Sequence, residues 1–177
     1  MFITNNNFLS KDSLNFIEQT VLSNSFPYYY SPNTIHNPPD NNAYMSHDVL
    51  RRPEERTKGE MFNSTYGEQF LRILKEFADA NNIEVKDVYR VSVNITFAGI
   101  TENCPTHTDH PYPHKQLLIY LNDCDPEAKT VVLSDDNSRV LHTIDPEKYK
   151  GVCFGSSPHY MVFPKKGARI VAVFTFA

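Results

Sequence analysis

An apolar stripe with helical period runs through residues 65–81, opposite a polar face, and predicts a helix packed against a sheet. The stripe consists of Phe70, Ile73, Leu74, Phe77 and Ala78. A shorter repeat in residues 10–22 predicts a first helix, and Ser10 stands where an N-cap is expected. The repeat there is formed by Leu14, Ile17 and Val21.

Between these two predicted helices the apolar residues recur at no regular spacing. Residues 26–30 are rich in aromatics but contain Pro27, which favours a short strand at a sheet edge. Residues 31–63 are predicted to be irregular, because prolines interrupt every candidate element. These prolines are Pro32, Pro38, Pro39 and Pro53. A loop of this length, carrying Tyr44 and Arg52, is either a lid over an active site or a surface excursion.

After residue 87 the apolar period changes from helical to two. Short runs rich in Val, Ile, Tyr, Phe and Thr are separated by Gly, Pro, Asn or Asp. The runs are 88–97, 116–121, 130–133, 139–144, 151–154, 160–163 and 169–176. Strands without intervening helices exclude a parallel α/β sheet and predict an antiparallel barrel or double-sheet jelly roll. We expect one domain over residues 1–177: a helical and irregular N-terminal support (1–86) and a jelly-roll core (87–177).

Composition narrows the class of protein without identifying it. The chain has 177 residues, a formal charge of −4 and 40% hydrophobic residues, as expected for a globular domain. The mild acidity disfavours a nucleic-acid binder with a broad basic surface. No apolar run approaches the ~20 residues of a membrane span, and the N-terminus does not resemble an export signal. Three cysteines without CxxC spacing argue against a disulfide scaffold, and a cytoplasmic location is expected.

The segment from Pro105 onward carries the candidate chemistry. His107 and Asp109 are two residues apart, so in an extended segment both side chains project from one face. His159 opens a late strand pair. Two histidines and one carboxylate form the facial triad with which non-haem iron(II) oxygenases hold their metal.

Arg169 follows His159 by ten residues, at the start of a strongly apolar strand. A guanidinium on a barrel strand needs a partner, since burying it unpaired is costly. A bidentate grip on a carboxylate is the favoured solution, so a dicarboxylic cosubstrate fits this position.

Together these residues resemble the Fe(II)/2-oxoglutarate-dependent dioxygenases, and within them the prolyl-hydroxylase-like branch. The resemblance rests on the HTD of residues 107–109, the YLN of residues 120–122, His159 and Arg169, and covers residues 87–177. It implies a double-stranded β-helix, which is a jelly roll.

The resemblance also implies roles for individual residues. His107, Asp109 and His159 match the iron ligands, which are the catalytic centre. Arg169 matches the residue that binds the far carboxylate of 2-oxoglutarate, and Tyr120 matches a tyrosine that in some members bonds the same group. Where many members have Arg-x-Ser, this chain has Arg-Ile-Val, so a hydroxyl that often assists at that carboxylate is missing.

The implied cofactors are Fe(II), 2-oxoglutarate as cosubstrate and O2, with stimulation by ascorbate left open. The implied reaction is hydroxylation, with succinate and CO2 as co-products. The branch favours a peptidyl prolyl residue as substrate, with a small metabolite second; a nucleic acid is disfavoured and no membrane is implied. Two alternatives stay open: a non-redox, cupin-like metal protein and a catalytically inactive binding module.

Two further expectations concern neighbours of the metal residues. His110 and His114, separated by prolines, are predicted to be solvated loop histidines. On the strand 88–97, either the set containing Asn94 and Thr96 or the alternate set faces the barrel interior, and the pattern leaves this open.

Overall fold

The computed structural model describes residues 1–34, 38–57 and 61–177. These described residues form ten strands and two α-helices. The strands are β1 Phe2–Asn5, β2 Tyr29–Ser31, β3 Tyr44–Leu50, β4 Val88–Thr96, β5 Lys115–Tyr120, β6 Thr130–Leu133, β7 Val140–Ile144, β8 Gly151–Gly155, β9 His159–Met161 and β10 Arg169–Phe176. The helices are α1 Lys11–Phe16, continued by a π-helical turn Ile17–Val21, and α2 Gly67–Ala80; a short 3-10 helix covers Pro53–Glu55.

The strands form two antiparallel sheets. The larger has seven strands in the order β1-β8-β5-β10-β4-β3-β2, and the smaller has three in the order β7-β6-β9. A buried apolar cluster joins β5, β8 and β10 of the large sheet to β6 and β7 of the small one, so the two sheets pack face to face. The predicted mainly-β jelly roll, a double-stranded β-helix with flanking helices, is confirmed.

Helix α2 covers the outer face of the large sheet, as its apolar stripe predicts. All five stripe residues are buried, and the Phe70 ring lies 6.3 Å from that of Phe174 on β10. The Ser10 side chain accepts a hydrogen bond from the Ser13 backbone N–H, which confirms the predicted N-cap of α1. The large sheet therefore has a helix-covered apolar face and a second face that looks into the jelly roll.

The N-terminal half contains more strand than its sequence indicates. The prediction that residues 31–63 are irregular is wrong for Tyr44–Leu50, which form β3 between β2 and β4. The prolines stand outside this run, so they bound the strand without interrupting it. β2 is an edge strand as expected, although it covers only Tyr29–Ser31. Phe2–Asn5, for which no element was predicted, pair with β8 at the other edge.

Parts of residues 31–63 lie outside the described residues, namely 35–37 and 58–60. Within the ranges that the structure describes, no helix combines the length and apolar character needed to cross a bilayer.

Candidate functional site

One cavity of about 430 Å3 opens between the two sheets. Alternation along the strands determines which side chains reach it: Arg169, Val171 and Val173 of β10 line the cavity, as do Asn94 and Thr96 of β4. The polar set of β4 is thus the inward one. The cavity is also lined by His107, Asp109, His159, Thr130 and Gln116.

The structure brings the three predicted metal ligands to one wall of this cavity. His107 and His159 exchange backbone hydrogen bonds of 3.0 and 2.9 Å, and their ring centroids are 4.6 Å apart. Asp109 Oδ2 lies 3.7 Å from His159 Nε2. With metal–ligand bonds of ~2.1 Å, two ligands of one ion lie about 3–4 Å apart, so this spacing suits a shared ion.

Both histidines have the ring orientation of metal ligands. His107 Nδ1 lies 3.0 Å from the Pro105 carbonyl oxygen, and His159 Nδ1 lies 3.1 Å from that of Ser157. A carbonyl oxygen can only accept, so each Nδ1 carries the proton and donates it. In this tautomer Nε2 is the ring nitrogen that a metal would bind, and such backbone contacts commonly fix metal-binding imidazoles.

Asp109 is ionised despite being buried. Its side chain is 6% exposed, and Oδ1 lies 3.3 Å from Arg90 Nη1 and 3.7 Å from Arg52 Nη2. Burial alone would raise the pKa of this carboxyl, but Arg90, the two histidines and Arg52 outweigh it, and the pKa is lowered. A charged carboxylate is the form that a metal ion binds.

His159 is neutral. Burial, with a smaller contribution from His107, lowers its pKa to about 4. Its Nε2 lies 3.2 Å from Gln116 Nε2, whose amide N–H can donate to the ring nitrogen. The imidazole is therefore in the protonation state required of a metal ligand at neutral pH.

The donor set fits a metal ion, although the side chains are not gathered around a single point. Among the described residues, no group of three or more His, Cys, Asp or Glu side chains forms a ready-made metal site. Asp109 Oδ1 is directed at arginines, and only Oδ2 faces His159. Four buried polar atoms of cavity-lining residues also lack a hydrogen-bond partner within the described chain: Arg52 Nε, Asn94 Oδ1, Gln116 Oε1 and Arg169 Nε. Such orphaned atoms are typical of a site that a ligand completes.

Arg169 is buried without an acidic partner. The residue is 5% exposed, and no carboxylate oxygen of the described residues lies within ion-pair distance of its guanidinium. Its Nη2 donates to Thr130 Oγ1 at 2.8 Å, Nη1 lies 3.5 Å from Met161 Sδ, and the group stacks 5.1 Å from the Tyr120 ring centroid. None of these contacts neutralises the charge of the guanidinium, so this end of the cavity is suited to bind an anion.

Tyr120 lies behind Arg169 and does not line the cavity. It is fully buried, and its hydroxyl shares a 2.8 Å hydrogen bond with Thr130 Oγ1. Its ring supports the guanidinium, and Thr130 connects the two side chains.

Several cavity residues were not singled out from the sequence. Thr130 supplies a hydroxyl to Arg169, and Arg90 holds Asp109. The alternation of β4 carries a signal for Arg90, since residues 90, 94 and 96 share one face. Tyr44 and Arg52, considered for a lid, line the cavity wall.

The prediction for His110 and His114 is wrong: both are buried. His110 Nε2 bonds Thr175 Oγ1 at 2.7 Å, and its ring stacks on Tyr112. Chain 109–114 folds back against β10, which sequence spacing does not reveal. Burial, and then the nearby His114, lowers the pKa of His110 to about 4.

The fold is similar to that of solved 2-oxoglutarate and Fe(II) oxygenases. An oxidoreductase of the 2OG-Fe(II) oxygenase family from Burkholderia pseudomallei matches with a TM-score of 0.76 and 15% identity, over 99% of this chain and 84% of that one. A Pseudomonas putida prolyl-4-hydroxylase matches with a TM-score of 0.63 and 13% identity, over 99% and 91%. A Trichoplax adhaerens prolyl hydroxylase, solved with a hypoxia-inducible-factor peptide fragment, matches with a TM-score of 0.61 and 19% identity, over 99% and 82%.

No protein-family model and no curated protein sequence matches the chain. The structural matches confirm, at the level of the fold, the resemblance indicated by the HTD motif, His159 and Arg169.

Proposed function

We propose that this protein is an Fe(II)- and 2-oxoglutarate-dependent dioxygenase that hydroxylates its substrate. The observation that carries the proposal is the content of a single cavity: two imidazoles and a buried carboxylate on one wall, with a buried guanidinium that lacks a counter-charge among the described residues. A non-redox metal protein would use the two imidazoles and the carboxylate, but it would have no function for the buried charge of Arg169.

In this proposal His107, Asp109 and His159 hold the metal through the two Nε2 atoms and a carboxylate oxygen. When bound, iron(II) with 2-oxoglutarate and dioxygen supplies the oxidation, in which the keto acid yields succinate and CO2 while a substrate C–H bond gains oxygen. At the metal end of the cavity, the protein's own contribution is to orient the three ligand side chains. The carbonyls of Pro105 and Ser157 hold the two imidazoles, and Arg90 holds Asp109 Oδ1.

Arg169 binds the distal carboxylate of the cosubstrate. Its guanidinium is oriented by Thr130 and supported by the Tyr120 ring, so little side-chain freedom is lost on binding. Val171 and Val173 line the path between this group and the metal wall, and their apolar surface excludes water from the reacting atoms.

For the substrate, a peptidyl residue is favoured, prolyl first, with a small metabolite as the second candidate. Two of the structural neighbours are prolyl hydroxylases, and one of these is in complex with a peptide. The cavity volume of about 430 Å3 lies within the range of common ligand pockets, so the cavity can admit a small group beside the cosubstrate.

Succinate release tests the proposal directly. The iron-loaded protein should convert 2-oxoglutarate to succinate, with stimulation by one member of a panel of proline-containing peptides and amino acids. Asp109→Ala should abolish this turnover and weaken metal binding, measured by titration with Mn(II), by at least about tenfold. Arg72→Gln, an exposed change on α2, is the matched control.

Absence of succinate with iron, ascorbate and the full panel would favour an inactive binding module. Unchanged Mn(II) affinity in Asp109→Ala would remove this residue from the metal site.

A further inference from the structure

The cavity has cationic groups at two separated ends. Arg169 pairs with Thr96 in the β10–β4 register, whereas Arg90 pairs with Thr175 at the opposite end of the same two strands. Arg90 and Thr96 are six residues apart on β4, which is roughly 20 Å between their Cα atoms. A single small cosubstrate anchored at Arg169 therefore leaves Arg90 and its neighbour Arg52 to other partners.

The charges of the cavity wall are not balanced at the metal end. Three arginines, Arg52, Arg90 and Arg169, line the cavity together with two acidic side chains, Asp109 and Glu54. A divalent metal and a doubly negative cosubstrate would cancel each other, so one positive charge would remain among these residues. Glu55 lies 3.9 Å from Arg52, but its side chain is 52% exposed, so it offsets this charge only weakly. Because the cosubstrate's distal carboxylate is taken by Arg169, this excess is located beside Asp109.

Among the described residues, the Arg52 guanidinium is held only by long ion pairs. Its contacts with Asp109 and Glu55 are 3.7 and 3.9 Å, longer than hydrogen bonds, and its buried Nε has no partner in the described chain. Its side chain is 31% exposed, so the guanidinium lies at the mouth of the cavity, accessible to an incoming molecule.

The segment that carries Arg52 is fixed in place. Arg56 donates to the backbone carbonyls of Val88 and Tyr89 at 2.9 and 2.7 Å, and to that of Arg51 at 2.9 Å. These bonds tie the 3-10 turn to the start of β4, beside Arg90. Arg52 is thus presented by an anchored backbone, as expected of a binding residue.

We propose that the substrate carries a carboxylate and that Arg52, assisted by Arg90, binds it at the mouth of the cavity beside the metal end. This inference rests on the proposed function and specifies its substrate class. One carboxylate supplies the single negative charge that the loaded site lacks, and its geometry matches a guanidinium fork. A phosphate would bring close to two negative charges next to Glu54, so a carboxylate is favoured.

Ligand binding tests this inference without turnover. The protein is loaded with Mn(II) and 2-oxoglutarate in the absence of oxygen, and its melting temperature is followed while matched pairs of ligands are titrated. The pairs are L-proline with L-prolinamide, propionate with propionamide, and a proline-ending peptide with a free or amidated C-terminus. Inorganic phosphate is titrated in a separate experiment.

We expect each carboxylate to raise the melting temperature more than its amide. Arg52→Gln should increase the apparent Kd of the carboxylates by about tenfold, Arg52→Lys by less, and neither should alter the Kd of the amides. Arg72→Gln should behave as the wild type. The shift caused by Mn(II) and 2-oxoglutarate should persist in all variants, which shows that they fold.

Two kinds of failure are distinguishable. If Mn(II) and 2-oxoglutarate produce no shift, the proposed function fails. If they do, but carboxylates bind no better than amides, or Arg52→Gln weakens both equally, or only phosphate binds, then the carboxylate assignment is overturned.

Discussion

Thr130 places a hydroxyl beside Arg169, whose neighbours in the sequence, Ile170 and Val171, have none. The chain has no serine two residues after this arginine, yet a hydroxyl reaches Nη2 from β6 at 2.8 Å. The same oxygen bonds Tyr120, so one side chain connects the guanidinium to the aromatic ring behind it. A hydroxyl thus lies beside Arg169 although the Arg-x-Ser pattern is absent, and only the packing of the two sheets brings it close.

Replacing this hydroxyl should weaken cosubstrate binding without affecting the metal. Thr130→Val keeps the shape but removes the acceptor for Arg169 Nη2, and we expect the KM for 2-oxoglutarate to rise about three- to tenfold. Arg169→Gln, which removes the charge itself, should raise it by more. Steady-state succinate release measures both effects, and Mn(II) titration should give an unchanged Kd.

Thr143→Val, an exposed change on β7, is the control for Thr130→Val and should leave KM unaltered. An equal loss of metal affinity and cosubstrate affinity in Thr130→Val would indicate a general structural role.

At the scale of elements, the close approach of α2 to the large sheet depends on a glycine in β8. A Cβ at Gly151 would lie 2.6 Å from Cε2 of Phe77 and 2.9 Å from Cε1 of Phe8. The Phe77 ring is fully buried, so it has little room to move. Gly155, four residues along the same strand, has no atom within 4 Å of its Cβ position.

These two glycines make a matched pair. Gly151→Ala should lower the free energy of unfolding by about 1–3 kcal/mol through overpacking against α2. Gly155→Ala should change it by less than about 0.5 kcal/mol. Urea denaturation of both variants measures the difference, and equal values would show that α2 and β8 do not pack as described.

The helices and strands differ in how well the sequence pattern predicts them. Helix α2 and β10 could be predicted because burial on one face, or on both, leaves a continuous apolar pattern. β3 was not predicted, because Tyr44, Met45 and Ser46 are all half-buried and the alternation of apolar and polar residues along the strand is weak. β1, at the other edge of the sheet, is only four residues long and carries little pattern of its own.

At the scale of the whole molecule, the buried histidines His159 and His110 couple folding to pH. Burial, with a nearby second histidine in each case, lowers the pKa values of His159 and His110 to about 4, below the usual value near 6.5. The unfolded chain therefore binds more protons than the folded one between about pH 6.5 and pH 4. Stability contributed by these groups is present above pH 6.5 and is lost as pH falls through this window.

We expect the metal-free protein to lose on the order of 1–3 kcal/mol of unfolding free energy per histidine between pH 7 and pH 4.5. Urea denaturation at intervals of half a pH unit measures this slope. His110→Gln should reduce the slope while it removes the bond to Thr175. A constant unfolding free energy over this range would mean that both imidazoles take up a proton at the same pH in the folded protein as in the unfolded chain.

The sequence by itself determined the class of fold and pointed to the residues that we propose for the site. Period-two runs after residue 87 predict antiparallel strands. HTD, His159 and Arg169 supply the side chains that we propose for the metal and for the cosubstrate carboxylate, because local spacing and side-chain type are visible in the sequence. Tertiary structure decided which groups share a cavity and which charges are left unpaired. Arg52, Arg90 and Thr130 come from separate elements, and only the register of β4 with β10 and the packing of one sheet on the other bring them to the site.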